Sequence, residues 1–413
     1  MLLGYNSADM DTDQKLRALA DASRFDLACA CGTKGNDDHR RRGRGGVWLY
    51  PVSLPDGGTS ILLKTLLSNA CVNDCRYCPF RRDRDVRRCT LQPEETADLF
   101  MDFVRRLGIH GLFLSSGVVR DADHTMDRMI AVAEILRRRH EYRGFIHLKV
   151  IPGASDAAIE RAVSLANAVS LNVEVPTRSA FRTLSTTKDF DRDIVRPMKR
   201  ISALTARGGC HARVKQTTQF IIGAAAETDA EIVEAASRLY NRLHLSRVYF
   251  SAYQRGLGDP ALPGEQGAPG TDGMWPSRPR LGGVTGGGAC ATRMPGVSPA
   301  EDLLTREHRL YQVDWLLRKY GFTADEIPFE PNGRLSLTRD PKEEWARRHP
   351  EFFPVDLNRA DRQTLLRVPG IGEITAKRIL DIRHDGRKIR AVQDLGKPGK
   401  RLRKAEQYVT FSR

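Results

Sequence analysis

Short apolar runs alternate with longer amphipathic segments through the middle of the chain. The runs are ILLKTLL (61–67), HGLFLSS (110–116), FIHLKVI (145–151), AVSLNVEV (168–175), QTTQFIIG (216–223) and RVYFSAY (247–253). Their length and their aliphatic, β-branched and aromatic content predict strands. Between them, apolar residues recur at helical spacing over 93–107, 123–141, 155–166, 189–207 and 227–243. Pro93, followed by Glu94 and Glu95, suits a first helical turn, where the helix dipole favours acidic side chains. Strands separated by helices pair in parallel with right-handed crossovers. Six units fall short of an eight-fold barrel, so the pattern predicts an α/β fold, a partial, open (βα)6 barrel of the TIM type.

Outside that core the pattern changes. Residues 12–30 carry apolar positions at helical spacing, and 32–46 is a basic, Gly-containing loop. Residues 256–299 are dense in Gly and Pro and lack any period; a linker is expected, with a mobile cover over the barrel as the alternative. Helical spacing returns at 300–320. A short helix is predicted at 341–348, with Asp340 as N-cap and Pro341 at the first helical position. The chain therefore divides into an N-terminal helical and loop extension (1–54), the barrel (55–255), the Gly/Pro-rich segment (256–299), a helical connector (300–350) and a small all-α C-terminal domain (351–413).

Composition narrows the function. Sixty-six Lys and Arg against 51 Asp and Glu leave a net charge of +15, which favours a polyanionic partner, nucleic acid first among them. With 40% hydrophobic and 28% charged residues the chain reads as globular rather than disordered. No run approaches the roughly 18 apolar residues of a transmembrane helix. Met1–Asn6 has no basic flank leading into an apolar run, so no signal peptide is expected and the expected location is cytoplasmic. Eight cysteines in 413 residues do not make a disulfide scaffold, and three cluster within eight positions, which points to metal chemistry in a reducing compartment.

That cluster is Cys71-Val72-Asn73-Asp74-Cys75-Arg76-Tyr77-Cys78, a C-x3-C-x2-C array directly behind the first predicted strand of the barrel. Thiolates select iron–sulfur clusters, zinc or copper(I). Three on one tight loop hold three corners of a 4Fe–4S cube and leave the fourth iron open to a small ligand. The competing reading is zinc, which wants a fourth ligand; Cys89 is the near candidate. Cys29 and Cys31 stand too far upstream to join by spacing, and Cys210 and Cys290 have no local partner.

The array, with Tyr77 just before the third cysteine and the (βα)6 pattern around it, resembles the radical S-adenosylmethionine (SAM) superfamily over roughly residues 55–255. The resemblance implies that Cys71, Cys75 and Cys78 bind three irons of a 4Fe–4S cluster and that SAM chelates the fourth. It implies one-electron SAM cleavage to a 5′-deoxyadenosyl radical, fed by a reducing electron donor. Tyr77, Ser115, Ser116, Gly117, Asn172, Glu174 and Gly223 fall at positions similar to the family's SAM contacts. Ser115-Ser116-Gly117 departs from the family's Gly-Gly-Glu-like motif by lacking the glutamate, which leaves that contact to backbone and hydroxyl groups. Asn172 and Glu174 alternate on one strand and so face one side of the sheet. Phe220–Gly223 ahead of Glu227 is similar to the adenine-contacting stretch.

The tail reads PVDLNRADRQTLLRVPGIGEITAKRILDIR over 354–383. Asn358 is a candidate N-cap, Leu365 and Leu366 point inward, and Ile374, Ile379 and Ile382 take core spacing on a second helix. Pro369-Gly370-Ile371-Gly372 between the helices resembles the helix-hairpin-helix module. Glycines let the backbone approach a phosphate, and the amides opening the second helix favour an anion. Ile371 is then the buried hairpin residue, and Thr375, Lys377 and Arg378 lie near the nucleic-acid backbone. The alternative is a hairpin for protein docking. Asp394–Gly399 suggests a second, degenerate hairpin.

Barrel and tail together resemble a bacterial group of radical SAM proteins described as acting in DNA modification or repair. That resemblance implies DNA as partner, with RNA also open, and a uracil-DNA-glycosylase-like protein beside it. Two other readings stand: radical SAM chemistry on RNA or on a protein side chain, and a DNA-binding scaffold whose cluster is structural or redox-sensing.

Overall fold

The computed structural model describes residues 10–23, 41–42, 48–53, 59–266, 299–396 and 399–412. The chain forms two compact units, Met1–Glu227 with Arg238–Glu307, and Thr228–Ser237 with His308–Arg413. Among the described residues no helix is long and apolar enough to cross a membrane.

In the first unit helix α1 (Thr12–Ser23) precedes an eight-stranded sheet whose strands follow in chain order. β1 (Arg41–Arg42) and β2 (Trp48–Ser53) lie antiparallel ahead of β3 (Thr59–Leu66). The periodicity does not mark these two strands. From β3 onward all pairing is parallel: β4 (Gly111–Ser115), β5 (Phe145–Lys149), β6 (Ala168–Ser170), β7 (Lys215–Ile222) and β8 (Arg247–Ala252). Six parallel strands curl into a partial barrel, as the alternating pattern predicts. Parallel neighbours need crossovers, which α2 (Pro93–Leu107), α3 (Ala122–Glu134), α4 (Asp156–Leu165), α5 (Arg178–Leu184), α6 (Arg196–Leu204) and α7 (Asp229–Leu243) supply. α5 is a further element the apolar spacing does not mark; Thr177 caps it by accepting from the Ala180 N–H.

Side-chain alternation divides the barrel. Leu112, Leu114, Ile146, Leu148 and Val169 are fully buried among the helices. Their neighbours Ser115 and Lys149 line a cavity on the other face of the sheet. The residues lining it lie at the C-terminal ends of the strands, where barrel enzymes carry their sites.

The predicted strand over 168–175 is regular only to Ser170; Glu174 makes an isolated bridge to Phe220 and takes a left-handed backbone, φ +65°. Of the Gly/Pro-rich segment, 267–298 lie outside the described residues.

The second unit contains the C-terminal part of α8 (Pro299–Lys319), then α9 (Pro341–Arg348), capped by Asp340 as its sequence predicts. β9 (Val355–Asp356) and β10 (Val409–Thr410) pair in parallel. Between them lie α10 (Arg362–Arg367), α11 (Glu373–His384) and α12 (Lys400–Ala405) around a core of Leu357, Leu365, Leu366, Val368, Ile371, Ala376 and Ile379. Two details correct the sequence reading. Asp361, not Asn358, caps α10, while the Asn358 amide bridges the Ile389 and Ser412 carbonyls. Ile374 is 79% exposed: the buried stripe is Ala376–Ile379–Ile382, and Ile374 stands about 200° round the helix from Ala376.

Candidate functional site

The cysteine loop behind β3 is tightly built from backbone bonds. Cys78 N–H donates to the Cys75 carbonyl at 2.8 Å, Arg76 N–H to Leu184 at 2.8 Å and Val72 N–H to Val118 at 2.9 Å. The Arg88 guanidinium donates to the carbonyls of Asn69, Phe80, Arg81 and Arg84 at 2.7–2.9 Å. Asp74, inside the array, accepts from the Ser185 hydroxyl (2.6 Å), the Thr186 N–H (2.9 Å) and hydroxyl, and the Thr187 hydroxyl (2.7 Å). Burial would raise its carboxyl, but these donors outweigh burial and hold it well below the ordinary carboxylate range.

Cys71, Cys75 and Cys78 line one cavity with Tyr77, Ser115, Ser116, Gly117, Asn172 and Glu174, so nine of the ten barrel residues singled out from sequence meet there. Gly223 does not. Its φ is +87°, its N–H donates to the Glu227 carboxylate at 2.5 Å, and a Cβ there would meet Leu303 at 2.3 Å; Ile221 of the same stretch lines the cavity instead. Among the described residues no three His, Cys, Asp or Glu side chains are gathered onto a point that a single ion would fill. All three thiols belong to residues that line the cavity wall. Cys89 is buried elsewhere, its thiol directed at the Lys15 carbonyl at 3.7 Å. Cys29, Cys31 and Cys290 lie outside the described residues, and Cys210 is exposed.

Burial pushes the Cys75 thiol up, and burial with the neighbouring Cys75 pushes Cys78 to about 12. Iron must therefore displace the proton on binding. The Val118 N–H points at Cys71 Sγ and the Phe80 N–H at Cys78 Sγ, both at 3.4 Å, a pattern that tunes cluster sulfurs. Gly117 holds its strand end against the loop: its N–H donates to the Ser68 carbonyl at 2.7 Å, and a Cβ would stand 2.3 Å from the Ala70 oxygen. Only glycine fits there.

Across the cavity the Tyr77 hydroxyl donates to Glu174 Oε1 at 2.8 Å, and Glu174 Oε2 is buried without a hydrogen-bond partner. Burial raises the Tyr77 phenol, and the facing carboxylate raises it further. Lys188 also faces Glu174 and Cys75. Burial works to lower this amine, but the surrounding negative charge outweighs it and sets its pKa above the ordinary lysine value. The donor set fits the group the array implies, with soft thiols for iron and an unsatisfied carboxylate oxygen for a hydroxyl or amine; the Gly117 carbonyl is already taken by the Ser116 hydroxyl at 2.6 Å. Lys188, Lys149 and Gln219 also line the cavity and were not singled out. Alternation along FIHLKVI places Lys149; nothing local marks Lys188, which is delivered by the Asp74 clamp on the preceding residues.

At the hairpin of the second unit, Gly370 has φ +90°, a region that favours glycine. Gly372 is extended, and its constraint is space: a Cβ would come 3.0 Å from the Tyr320 hydroxyl. Ile371 is buried, as expected, and its carbonyl accepts from Lys342 Nζ at 2.6 Å. Pro369 is buried too, Thr375 half-buried and Lys377 exposed. Arg378 is exposed as well, with one N–H donated to the Leu395 carbonyl within the unit. No side chain caps the start of α11, so its first amides are available to an anion.

Residues 65–239 match the model of the radical SAM superfamily, and residues 352–402 match that of the helix-hairpin-helix motif. The chain carries a radical SAM domain and a helix-hairpin-helix motif. Proteins with that domain use a 4Fe–4S cluster and SAM. No curated protein matches the chain. Among solved structures it is similar to the FeFe-hydrogenase maturase HydG from Carboxydothermus hydrogenoformans, at 19% identity and TM-score 0.40, covering 48% of this chain and 46% of that one. Methylornithine synthase (PylB) gives 17% identity and TM-score 0.40, covering 52% and 58%. The chain thus spans about half the length of each of these two structures.

Proposed function

We propose that this protein is a radical SAM enzyme acting on nucleic acid, in DNA modification or repair, with Cys71, Cys75 and Cys78 as the cluster ligands. The observation that carries it is the convergence of the three thiols and the open Glu174 oxygen on one cavity at the strand ends. When bound, the cluster and SAM supply one-electron cleavage and hydrogen-atom abstraction from substrate. The chain's own residues seat these groups: Gly117 keeps its strand end against the cysteine loop, while Glu174, steadied by Tyr77 and Lys188, accepts a hydroxyl or amine. The hairpin holds a phosphate backbone without reading its sequence. A reducing electron donor is required, and a uracil-DNA-glycosylase-like protein is the partner the family resemblance implies.

The test is anaerobic reconstitution with iron and sulfide, reduction, and assay of 5′-deoxyadenosine with DNA, RNA or neither. Cleavage is expected to vanish in each of the Cys71, Cys75 and Cys78 alanine variants and to persist in Cys89→Ala. A stable cluster that never cleaves SAM, even with nucleic acid present, would make it structural or redox-sensing.

A further inference from the structure

A second cavity, of about 590 Å3, lies wholly within the second unit. That volume is in the range of small-molecule sites. One wall is the hairpin itself, Pro369–Gly372; another is the aromatic set Tyr311, Trp315 and Tyr320 from α8 and the residue following it. We propose that this cavity receives an unpaired nucleobase, stacked on Trp315, from the nucleotide whose phosphate sits on the hairpin. The proposal deepens the nucleic-acid reading of the hairpin and rests on it.

Three observations converge. The first is adjacency, because the phosphate-binding turn and the ring wall enclose the same space, so a nucleotide held by the one reaches the other. The second is exposure. Trp315 is 42% exposed and Ile374 79%, the only large hydrophobics so exposed among the described residues of this unit, and both stand by the hairpin. A folded unit of this size has little reason to leave a tryptophan half in water unless something covers it. The third is charge. Arg318, Lys319, Arg362 and Glu373 line the groove on the other side of Trp315; with Arg318 paired to Asp314 and Arg362 to Glu373, Lys319 leaves that margin net positive, which suits a phosphate backbone continuing past the stacked base. Aromatic faces beside basic residues are how proteins hold single strands. A continuous duplex keeps its bases stacked on one another and leaves Trp315 unused.

The chemistry therefore points to single-stranded or locally unpaired nucleic acid as the ligand class, and so as the substrate form presented to the enzyme. The full chain is titrated by fluorescence anisotropy with labelled oligothymidylate and with a duplex of equal length. Single strand should bind on the order of ten-fold tighter than duplex, Trp315→Ala should remove that preference, and Trp315→Phe should keep most of it. Oligothymidylate should quench the intrinsic fluorescence of the wild type and fail to do so in Trp315→Phe. Equal affinity for both forms without quenching overturns the proposal and leaves the hairpin reading standing. Binding of neither form, or binding indifferent to Gly370→Val, overturns the hairpin reading and this proposal with it.

Discussion

Tyr77 and Glu174 are 97 positions apart and share a hydrogen bond in the barrel cavity, whereas Pro369–Gly372 and the first turn of α11 are one continuous stretch. The cavity collects side chains from most of the barrel strands and from the loops behind them, and its polar atoms lock one another in place. The hairpin works with backbone amides and the absence of side chains. The first arrangement is vulnerable to changes well away from the reacting groups; the second depends on its own few residues and on the Lys342 brace to the Ile371 carbonyl. Each of the following measurements should therefore damage one region and spare the other.

The largest effect is expected at Asp74, which touches no proposed ligand position yet ties the cysteine loop to Ser185–Thr187 and so delivers Lys188. Asp74→Ala strands several donors and should lower stability by about 2–3 kcal/mol. Cluster retention after desalting should fall severalfold, while oligonucleotide affinity stays at the wild-type level. The folded carboxyl lies below its unfolded value of 3.8, so its contribution is present above about pH 4 and lost as pH falls towards the folded value. Thermal melts from pH 6 down to 3 should show a shallower acid limb in Asp74→Asn. An unchanged limb and full cluster retention would mean that the loop is held by Arg88 and its backbone bonds alone.

The converse experiment is Gly370→Val. A β-branched residue at φ +90° is strained by about 1–3 kcal/mol, and the hairpin must shift to relieve it. Affinity should drop on the order of ten-fold, evenly across sequences, and the slope of log K against log salt should flatten by about one. SAM cleavage without nucleic acid should not move. Gly372→Val has no φ penalty and meets only the Tyr320 hydroxyl, so its effect should be the smaller. Wild-type salt dependence in Gly370→Val would make the turn a docking element.

What the sequence made legible follows the same division. The six barrel strands, the cysteine loop and the Pro-Gly-Ile-Gly turn are local signals, carried by periodicity and spacing, and each appears where the pattern places it. Tyr77, Asn172 and Glu174 were legible because they ride on those signals. Lys188 was not: its place at the cavity comes from the Asp74 clamp on Ser185, Thr186 and Thr187, which lie 111–113 positions after Asp74. Gly223 misled because a glycine at a strand end reads alike whether the space beside it is for a ligand or for Leu303. Ile374 misled because apolar spacing alone does not tell a core face from a face kept for a partner.

The smallest effect concerns a residue that no motif marks. Lys342 is buried, its amine donates to the Ile371 carbonyl at 2.6 Å, and it lies 4.6 Å from the Tyr320 ring centre. Burial lowers its pKa from 10.5 to about 7, so the folded unit gives up the proton more readily than the unfolded chain. Between those two values the unfolded state holds more protons, and stability rises with pH. The stabilising balance is complete above the unfolded value and is lost as pH falls through about 7. Melting temperature should therefore climb gently from pH 7 to 9 in the wild type, and Lys342→Met should flatten that climb. Because the amine braces the hairpin carbonyl, the same variant should loosen the turn and weaken nucleic-acid binding by a factor of about two to five, near the worth of one hydrogen bond. The cavity of the first unit should show neither change, since its charges answer to Glu174 and the cysteines. A pH slope that survives in Lys342→Met would place the titrating group elsewhere and leave the hairpin held by Gly370 and the buried Ile371 alone.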